Sequence, residues 1–294
     1  MKTSINILSS REKCIVKSLK TIVSCYPQEN LCNINVYYFD EIYSDENFKL
    51  FIKEKVSSKI NFIKIDYETP KFLKEKDLFY NLDNAYAKSF GISRKGYLHM
   101  CNFISNIFDY KHSKISDDDF IMICDDEAGF LNNLPYDPCE ILKNKNIHLG
   151  AFFVGQRLKN NKPHQGHLDT RINLWKTTKD FILKNNITPK NKSLLKLLED
   201  PNSENNFHYL EWCDTYVINT DMFKTKLWNL WISYINDSGG IYKYRWGDNE
   251  IYTLYAHMTQ EKIYKFDAID KRYYDQGMFR SLQDIAPNIL DVRK

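Results

Sequence analysis

The sequence predicts an α/β fold with a mostly parallel central sheet flanked by helices. Three observations predict it. Short apolar runs alternate with helix-period segments along the first half. Strands separated by helices in this way form parallel pairs joined by right-handed crossovers. At 294 residues with 43% hydrophobic content, the chain is long enough for one large core.

The elements follow in order. Ile5–Leu8 is a short apolar strand, and Lys13–Val23 is an amphipathic helix with Ile15, Leu19 and Ile22 on one face. Asn35–Phe39 is a second strand and Phe48–Val56 a helix. Ile60–Ile65 alternates as a half-buried third strand. A polar stretch over Thr69–Asn84 leads to a helix from Arg94 to Asp109, then to the fully apolar strand Phe120–Cys124. In the second half, Gly150–Val154 is a strand and Lys159–Thr170 a polar segment holding His164 and His167. Leu174–Asn185 is helical, and Pro201–Asn206 is a turn-rich connection. Tyr216–Asn219 is a short strand, and Met222–Ile235 is a helix carrying Phe223, Leu227, Leu230 and Trp231. Gly239-Gly240 breaks that helix. With no internal repeat and no linker, one domain over 1–294 is expected.

Composition excludes several classes. Forty-one Lys and Arg against 38 Asp and Glu leave no basic stripe for nucleic acid and no acidic disordered tail. No apolar run reaches the roughly 18 residues of a membrane span, and the start is too short in apolar residues for a signal peptide. A cytoplasmic location is expected, with peripheral attachment at the inner face of a membrane as the variant. The seven cysteines are scattered, without Cys-x-x-Cys or Cys/His spacing, so they read as reduced thiols, not zinc ligands.

Three segments carry candidate chemistry. Asp125-Asp126-Glu127 follows the apolar strand Phe120–Cys124, at the carboxyl end where open α/β sheets bind ligands. Carboxylates there suit a hard divalent cation bridging a diphosphate. The competing reading is a solvated acidic turn, as Asp117-Asp118-Asp119 upstream is expected to be. Gly239–Asp248 combines glycines with Arg245, Trp246 and Asp248, a donor fork, a stacking face and an acceptor suited to a sugar. Taken alone, the segment is better explained by a helix stop followed by an aromatic-rich helix start capped by Asp248. Glu211-Trp212-Cys213-Asp214-Thr215 places two acids and an aromatic just ahead of a strand, where a loop carboxylate can act as nucleophile or base; an ordinary polar loop is the alternative. His164 and His167 lack zincin spacing and are expected to be solvated.

Five segments are informative together: Tyr97–Phe103, Phe120–Glu127, Leu174–Ile182, Gly239–Asp248 and Ile263–Ile269. In register they resemble the fungal α-1,2-mannosyltransferases of glycosyltransferase family 15. The family's Tyr-Arg-His-Met-Cys-Arg-Phe is similar to Tyr97-Leu98-His99-Met100-Cys101-Asn102-Phe103, and its strand ending in Glu-Pro-Asp falls on Phe120–Glu127. Its Leu-Trp-x-Thr-Thr-Lys-x-Phe-Ile is similar to Leu174–Ile182. Its Gly-Gly-Phe-Phe-Tyr-Glu-Arg-Trp-Gly-Asp is similar to Gly239–Asp248, and its Ile-His-Tyr-Phe-Asp-Glu-Ile to Ile263–Ile269.

The resemblance implies a GT-A fold, with 1–130 mainly binding nucleotide and 131–294 mainly binding acceptor. It implies retaining transfer of mannose or another sugar from a GDP-linked donor to a glycan or glycolipid hydroxyl, with Mn²⁺ or Mg²⁺. Ser9, Arg11, Tyr97 and Asp125 would contact the nucleotide. Asp125, Glu127 and Asp275 would hold the metal, Asp275 standing where the family has histidine. Trp212, Arg245, Trp246 and Asp248 would line the acceptor side. The family's nucleophilic glutamate falls on Tyr216, so either Asp214 or Glu211, with Asp248 in the cleft, supplies the catalytic carboxylate, or the leaving phosphate guides a front-face attack without a covalent intermediate. That departure also keeps open a catalytically silent module that binds a nucleotide-sugar or glycan.

Overall fold

The computed structural model describes residues 1–27, 33–39, 43, 45–66, 94–110, 112–115, 117–156, 158–163, 168–266, 274–275 and 278. Its strands are β1 (Thr3–Leu8), β2 (Asn33–Tyr38), β3 (Ile60–Lys64), β4 (Phe120–Asp125), β5 (Gly129–Phe130), β6 (Leu149–Gly155), β7 (Leu158–Lys159), β8 (Lys162–Pro163), β9 (Trp212–Asn219), β10 (Tyr264–Lys265) and β11 (Tyr274–Asp275). Seven of them form one sheet in the order β10-β6-β9-β4-β1-β2-β3. The pairs β1–β2, β2–β3, β1–β4 and β6–β10 are parallel, as the helix-separated runs require. β9 alone runs antiparallel, between β4 and β6.

Strand alternation builds the core on both faces. On β4, Phe120, Met122 and Cys124 enter one apolar cluster, while Ile121 and Ile123 enter the other. That is the period of two expected of a strand buried on both sides. The helix Glu12–Cys25 packs Ile15, Val16, Leu19 and Ile22 into the first cluster. The helix Asp248–Thr259 lies inside the second, with every residue from Glu250 to Met258 buried. A polar ladder ties the parallel strands into register. Asn35 Nδ2 donates to Asn6 Oδ1 at 3.0 Å, and Asn61 Nδ2 to Asn35 Oδ1 at 3.3 Å. Asn6 in turn donates to Ser4 Oγ at 2.8 Å. A one-residue slip would break both inter-strand links and invert both faces.

Several expectations change. The strand expected at Tyr216–Asn219 begins at Trp212, so Trp212–Thr215 is sheet and not loop. The turn-rich Pro201–Asn206 contains a helical turn at Ser203–Asn206. The helix expected from Met222 starts at Lys226, where Thr225 Oγ1 accepts from the Trp228 N–H, and Phe223 lies before it. Its buried face is therefore Trp228, Trp231, Ile232 and Ile235, and Leu230 is exposed. Gly239 ends it in a left-handed conformation at φ 68°. Asp118 is not surface: it is buried and accepts from Ser4 Oγ at 2.5 Å, and burial raises its carboxyl pKa. The described cysteines, 14, 25, 101, 124, 139 and 213, are free thiols. No described helix is long and apolar enough to cross a membrane. The polar stretch Thr69–Asn84, with His164 and His167, lies outside the described residues.

Candidate active site

The site is built where β1 and β4 end side by side. Ile7 pairs with Cys124 and Leu8 with Asp125, so the turn after β4 meets the loop after β1. Asp126 is 1% exposed and collects the donors of that loop. Ser9 Oγ donates to Asp126 Oδ2 at 2.8 Å, the Ser10 N–H to the same oxygen at 3.1 Å, and Arg11 Nε to Oδ1 at 2.7 Å. Arg11 Nη2 also donates to Asp126 Oδ1, and Nη1 donates to Glu127 Oε2 at 2.6 Å. Because the single Ser9 hydroxyl proton goes to Asp126, the Tyr43 hydroxyl is the donor in its 2.6 Å contact with Ser9 Oγ. Burial opposes the Arg11 charge, but the Asp126 hydrogen bonds and the charges of Asp126, Glu127 and Asp125 more than offset it and raise its pKa.

Asp275 joins this edge through the two-stranded ribbon, in which β11 runs antiparallel to β5 and Asp275 faces Gly129. Its neighbour Tyr274 is buried, with its ring 5.3 Å from that of Phe130 and its hydroxyl beside Cys124 and Thr215. The Tyr274 hydroxyl lies where β9 leaves β4: their pairing stops at Met122–Val217, and Thr215 takes φ 55°. A β-branched residue in the left-handed region is a genuine backbone outlier. Asp125, Glu127 and Asp275 are thus gathered at one end of the sheet. Among the described residues no three His, Cys, Asp or Glu form a group able to hold a metal ion. Asp125 and Asp275 are half-buried oxygen donors, and one or two carboxylates plus substrate phosphates is the usual set for a small hard cation. The residues therefore fit such an ion once a diphosphate completes its shell.

A second group faces the chain from Gly240 to Asp248. Arg245 ends the short helix Gly240–Tyr244 at φ 62° and stacks its guanidinium 4.0 Å from the centre of the Tyr97 ring. Asp248 is half-buried in the first turn of its helix; the N-cap is Gly247, so the capping role considered for Asp248 does not hold. Instead the Tyr216 hydroxyl donates to Asp248 Oδ2 at 3.2 Å. The structure thus unites Tyr97, Arg245, Asp248 and Tyr216.

Trp212 and Trp246 are 0% exposed, which corrects their expected stacking role. Trp246 fills the space beside Gly240, where an added Cβ would lie 2.1 Å from the indole, and donates from Nε1 to the Ile172 carbonyl at 2.9 Å. Trp212 lies under Arg171, whose guanidinium is 3.7 Å from the ring centre and donates from Nε and Nη2 to Glu250 Oε1, each at 3.1 Å. Neither indole offers a face to a sugar. Glu211 is exposed just before β9, and its carbonyl accepts from His257 Nε2 at 2.8 Å. Asp214 sits on β9 opposite Phe153 of β6. The left-handed Thr215 between Asp214 and Tyr216 interrupts the regular two-residue alternation of the strand.

Sequence reasoning missed Asp126, Arg171, Glu250 and Tyr43. Asp126 stood within the acid triplet, and its place where the family pattern has proline was a usable signal. Arg171 carried none, because its partner Glu250 is 79 positions away.

The model of the glycolipid 2-alpha-mannosyltransferase family matches residues 10–284. The chain is 26% identical over 253 residues to the probable mannosyltransferase KTR3 of Saccharomyces cerevisiae, covering 82% of this chain and 58% of that protein. It is 24% identical over 244 residues to the O-glycoside alpha-1,2-mannosyltransferase omh1 of Schizosaccharomyces pombe, covering 80% and 59%. The chain therefore spans less than two thirds of the length of these relatives. The S. cerevisiae mannosyltransferase Ktr4p in complex with GDP has a similar fold, with TM-score 0.72 at 18% identity, covering 93% of this chain and 70% of that one. Core-mannan synthase A of Aspergillus fumigatus, in its Mn/GDP form, gives TM-score 0.70 at 16% identity, covering 88% and 70%. The fold is of GT-A type, and the chain belongs to the glycolipid 2-alpha-mannosyltransferase family.

Proposed function

We propose that this chain is a metal-dependent, retaining glycosyltransferase that moves mannose or another GDP-linked sugar to a hydroxyl of a glycan or glycolipid. One observation carries the reading: in a chain of this family, Arg11 is ion-paired with Asp126 and Glu127 at the carboxyl end of β4, with Asp125 close enough to act on its charge and Asp275 on the adjoining β5–β11 ribbon. Among the described residues the carboxylates around Arg11 outnumber its one positive charge, which disfavours a bare diphosphate and favours one that arrives with a divalent cation. Asp125 and Asp275, with Glu127, would hold Mn²⁺ or Mg²⁺, which when bound neutralises the leaving diphosphate.

The remaining roles belong to the protein. Ser9 and Arg11 bind and orient the diphosphate, and Tyr97 under Arg245 borders the donor sugar. Arg245 and Asp248 orient the acceptor hydroxyl, with Tyr216 holding one Asp248 oxygen. Asp214 or Glu211 stabilises positive charge at the anomeric carbon as the diphosphate departs. Residues 1–130 supply most of the donor site and 131–294 most of the acceptor site. A thermal-shift screen of nucleoside diphosphates with and without Mn²⁺ tests the first half of the reading. At one hundred times its dissociation constant, GDP should stabilise by about 2.7 kcal/mol, and only with metal. Sugar transfer to a mannoside acceptor tests the second.

One observation favours a second reading. A phenol, not a carboxylate, stands at position 216 and is bonded to Asp248. A catalytically silent nucleotide-sugar module would bind GDP with Mn²⁺ yet neither transfer nor hydrolyse the donor.

A further inference from the structure

We infer that Asp126 is a positioning residue of the donor site, whose buried carboxylate fixes the Arg11 guanidinium and the Ser9–Ser10 turn against the diphosphate of a nucleotide sugar. The inference rests on the function proposed above and adds a residue to it. Asp126 is 1% exposed and is met by three consecutive residues of the loop after β1: a hydroxyl, an amide and both Nε and Nη2 of a guanidinium. Glu127 holds Nη1 from the other side. Two carboxylates thus set the plane of the guanidinium, while 31% of the Arg11 side chain stays exposed at the sheet edge next to Asp125.

Stability alone does not explain this placement. Arg11 is the N-cap of the helix Glu12–Cys25, with no side-chain capping hydrogen bond. A cation at the positive end of a helix is unfavourable, and Ser, Thr, Asp or Asn caps better. Four other helices use them: Asp45, Asp137, Asn191 and Thr225 each accept a first-turn N–H. The two carboxylates offset the misplaced charge and keep it presented. A fixed, partly solvated guanidinium beside a helix N-terminus is suited to an anion with two phosphoryl groups. A flexible one would lose side-chain freedom on binding and so weaken the complex.

The test is a double-mutant cycle read by calorimetric titration of GDP in the presence of Mn²⁺, using the whole chain. Arg11→Gln should weaken binding about tenfold or more. Asp126→Asn, which keeps an oxygen for Ser9 and Ser10 but removes the charge that orients Arg11, should weaken it by a similar factor. In the Arg11→Gln background the same Asp126→Asn change should cost less than about twofold. Arg11→Lys retains the charge without the planar fork and should lose most of the affinity even with Asp126 intact. Melting temperatures of the single variants should stay within a few degrees of the unaltered protein. Strict additivity in the cycle, or full affinity in Arg11→Lys, overturns the inference while leaving the function standing. Failure of the unaltered protein to bind GDP with Mn²⁺ overturns both. If Asp126→Asn does not fold, the Arg11→Lys titration still decides between placement and charge alone.

Discussion

The molecule contains two arginine–carboxylate clusters of opposite character. Arg11 meets Asp126 and Glu127 at the open carboxyl edge of the sheet, with 31% of its side chain exposed. Arg171 meets Glu250 between Trp212 and the helix Asp248–Thr259, with side chains 1% and 5% exposed. Their pairing chemistry is the same, and their surroundings assign different work. A sealed pair cannot reach a ligand and must be judged as core, where loss of one charge strands the other. A pair at a sheet edge, with more carboxylate than guanidinium, retains charge that a ligand can use. The Gly240–Asp248 region sits beside the sealed cluster, which explains why its Trp246 serves packing while Arg245 and Asp248 at its surface are left for the cleft.

This contrast can be broken most sharply at the sealed pair. Glu250→Gln should leave Arg171 charged and buried without its counter-ion, lowering stability by about 3–5 kcal/mol, measured by urea unfolding. A loss below 1 kcal/mol would place Arg171 in reach of water and erase the distinction. Next in size is Asp214, on the part of β9 that has left β4. Asp214→Asn should lower kcat by about 10²-fold or more with donor affinity nearly unchanged, the mark of a group acting in the transition state. Glu211→Gln is the control; if it is inactive while Asp214→Asn turns over normally, the two roles are exchanged.

Smaller effects sharpen the open edge. Asp275→Asn should weaken Mn²⁺-dependent GDP binding about tenfold, or about 1.4 kcal/mol, with little change in metal-free nucleotide binding. Equal losses with and without metal would make Asp275 a strut for the β5–β11 ribbon. The smallest effect separates the clusters by pH. Burial, reinforced by the Arg171 charge, pushes the His208 imidazole down to about 4, and burial lowers His257 as well. The unfolded chain protonates these histidines near their ordinary value of 6.5. Below that pH the unfolded state binds protons that the folded state refuses, so stability falls as pH drops from about 6.5 toward 4 and is flat above. Thermal melts across this range should show the decline, and His208→Gln should flatten part of it.

Local pattern was enough for most of the fold. Each of the four expected strands of the first half is present, because alternation and apolar runs report burial directly. The error at Trp212–Thr215 has a physical cause. Glu211, Asp214 and Thr215 interrupt the apolar run, so the segment lacks the continuous signal of a strand buried on both faces. β9 there keeps only β6 as a partner, and Thr215 is left-handed. The assignment of Trp212 and Trp246 to a sugar failed for a related reason: residue type shows that an indole can stack, not what already covers it. Ser9 and Arg11 are grouped with Asp125 and Glu127 in the sequence only through the family resemblance; that β1 and β4 end side by side is decided by the sheet order.

The alternation of strands and helices, the parallel character of the sheet, the family, and the strand end at which acids collect can all be read from the order of residues. These follow from periodicity and from motifs whose residues are near neighbours in the chain. Which charges are sealed and which stay open is set by long-range packing. Arg171 finds Glu250 79 positions away, Arg11 finds Asp126 across 115, and Tyr216 finds Asp248 across 32. The energy of each contact depends on the solvent left around it. Burial is a property of the assembled layers, and no single segment carries it.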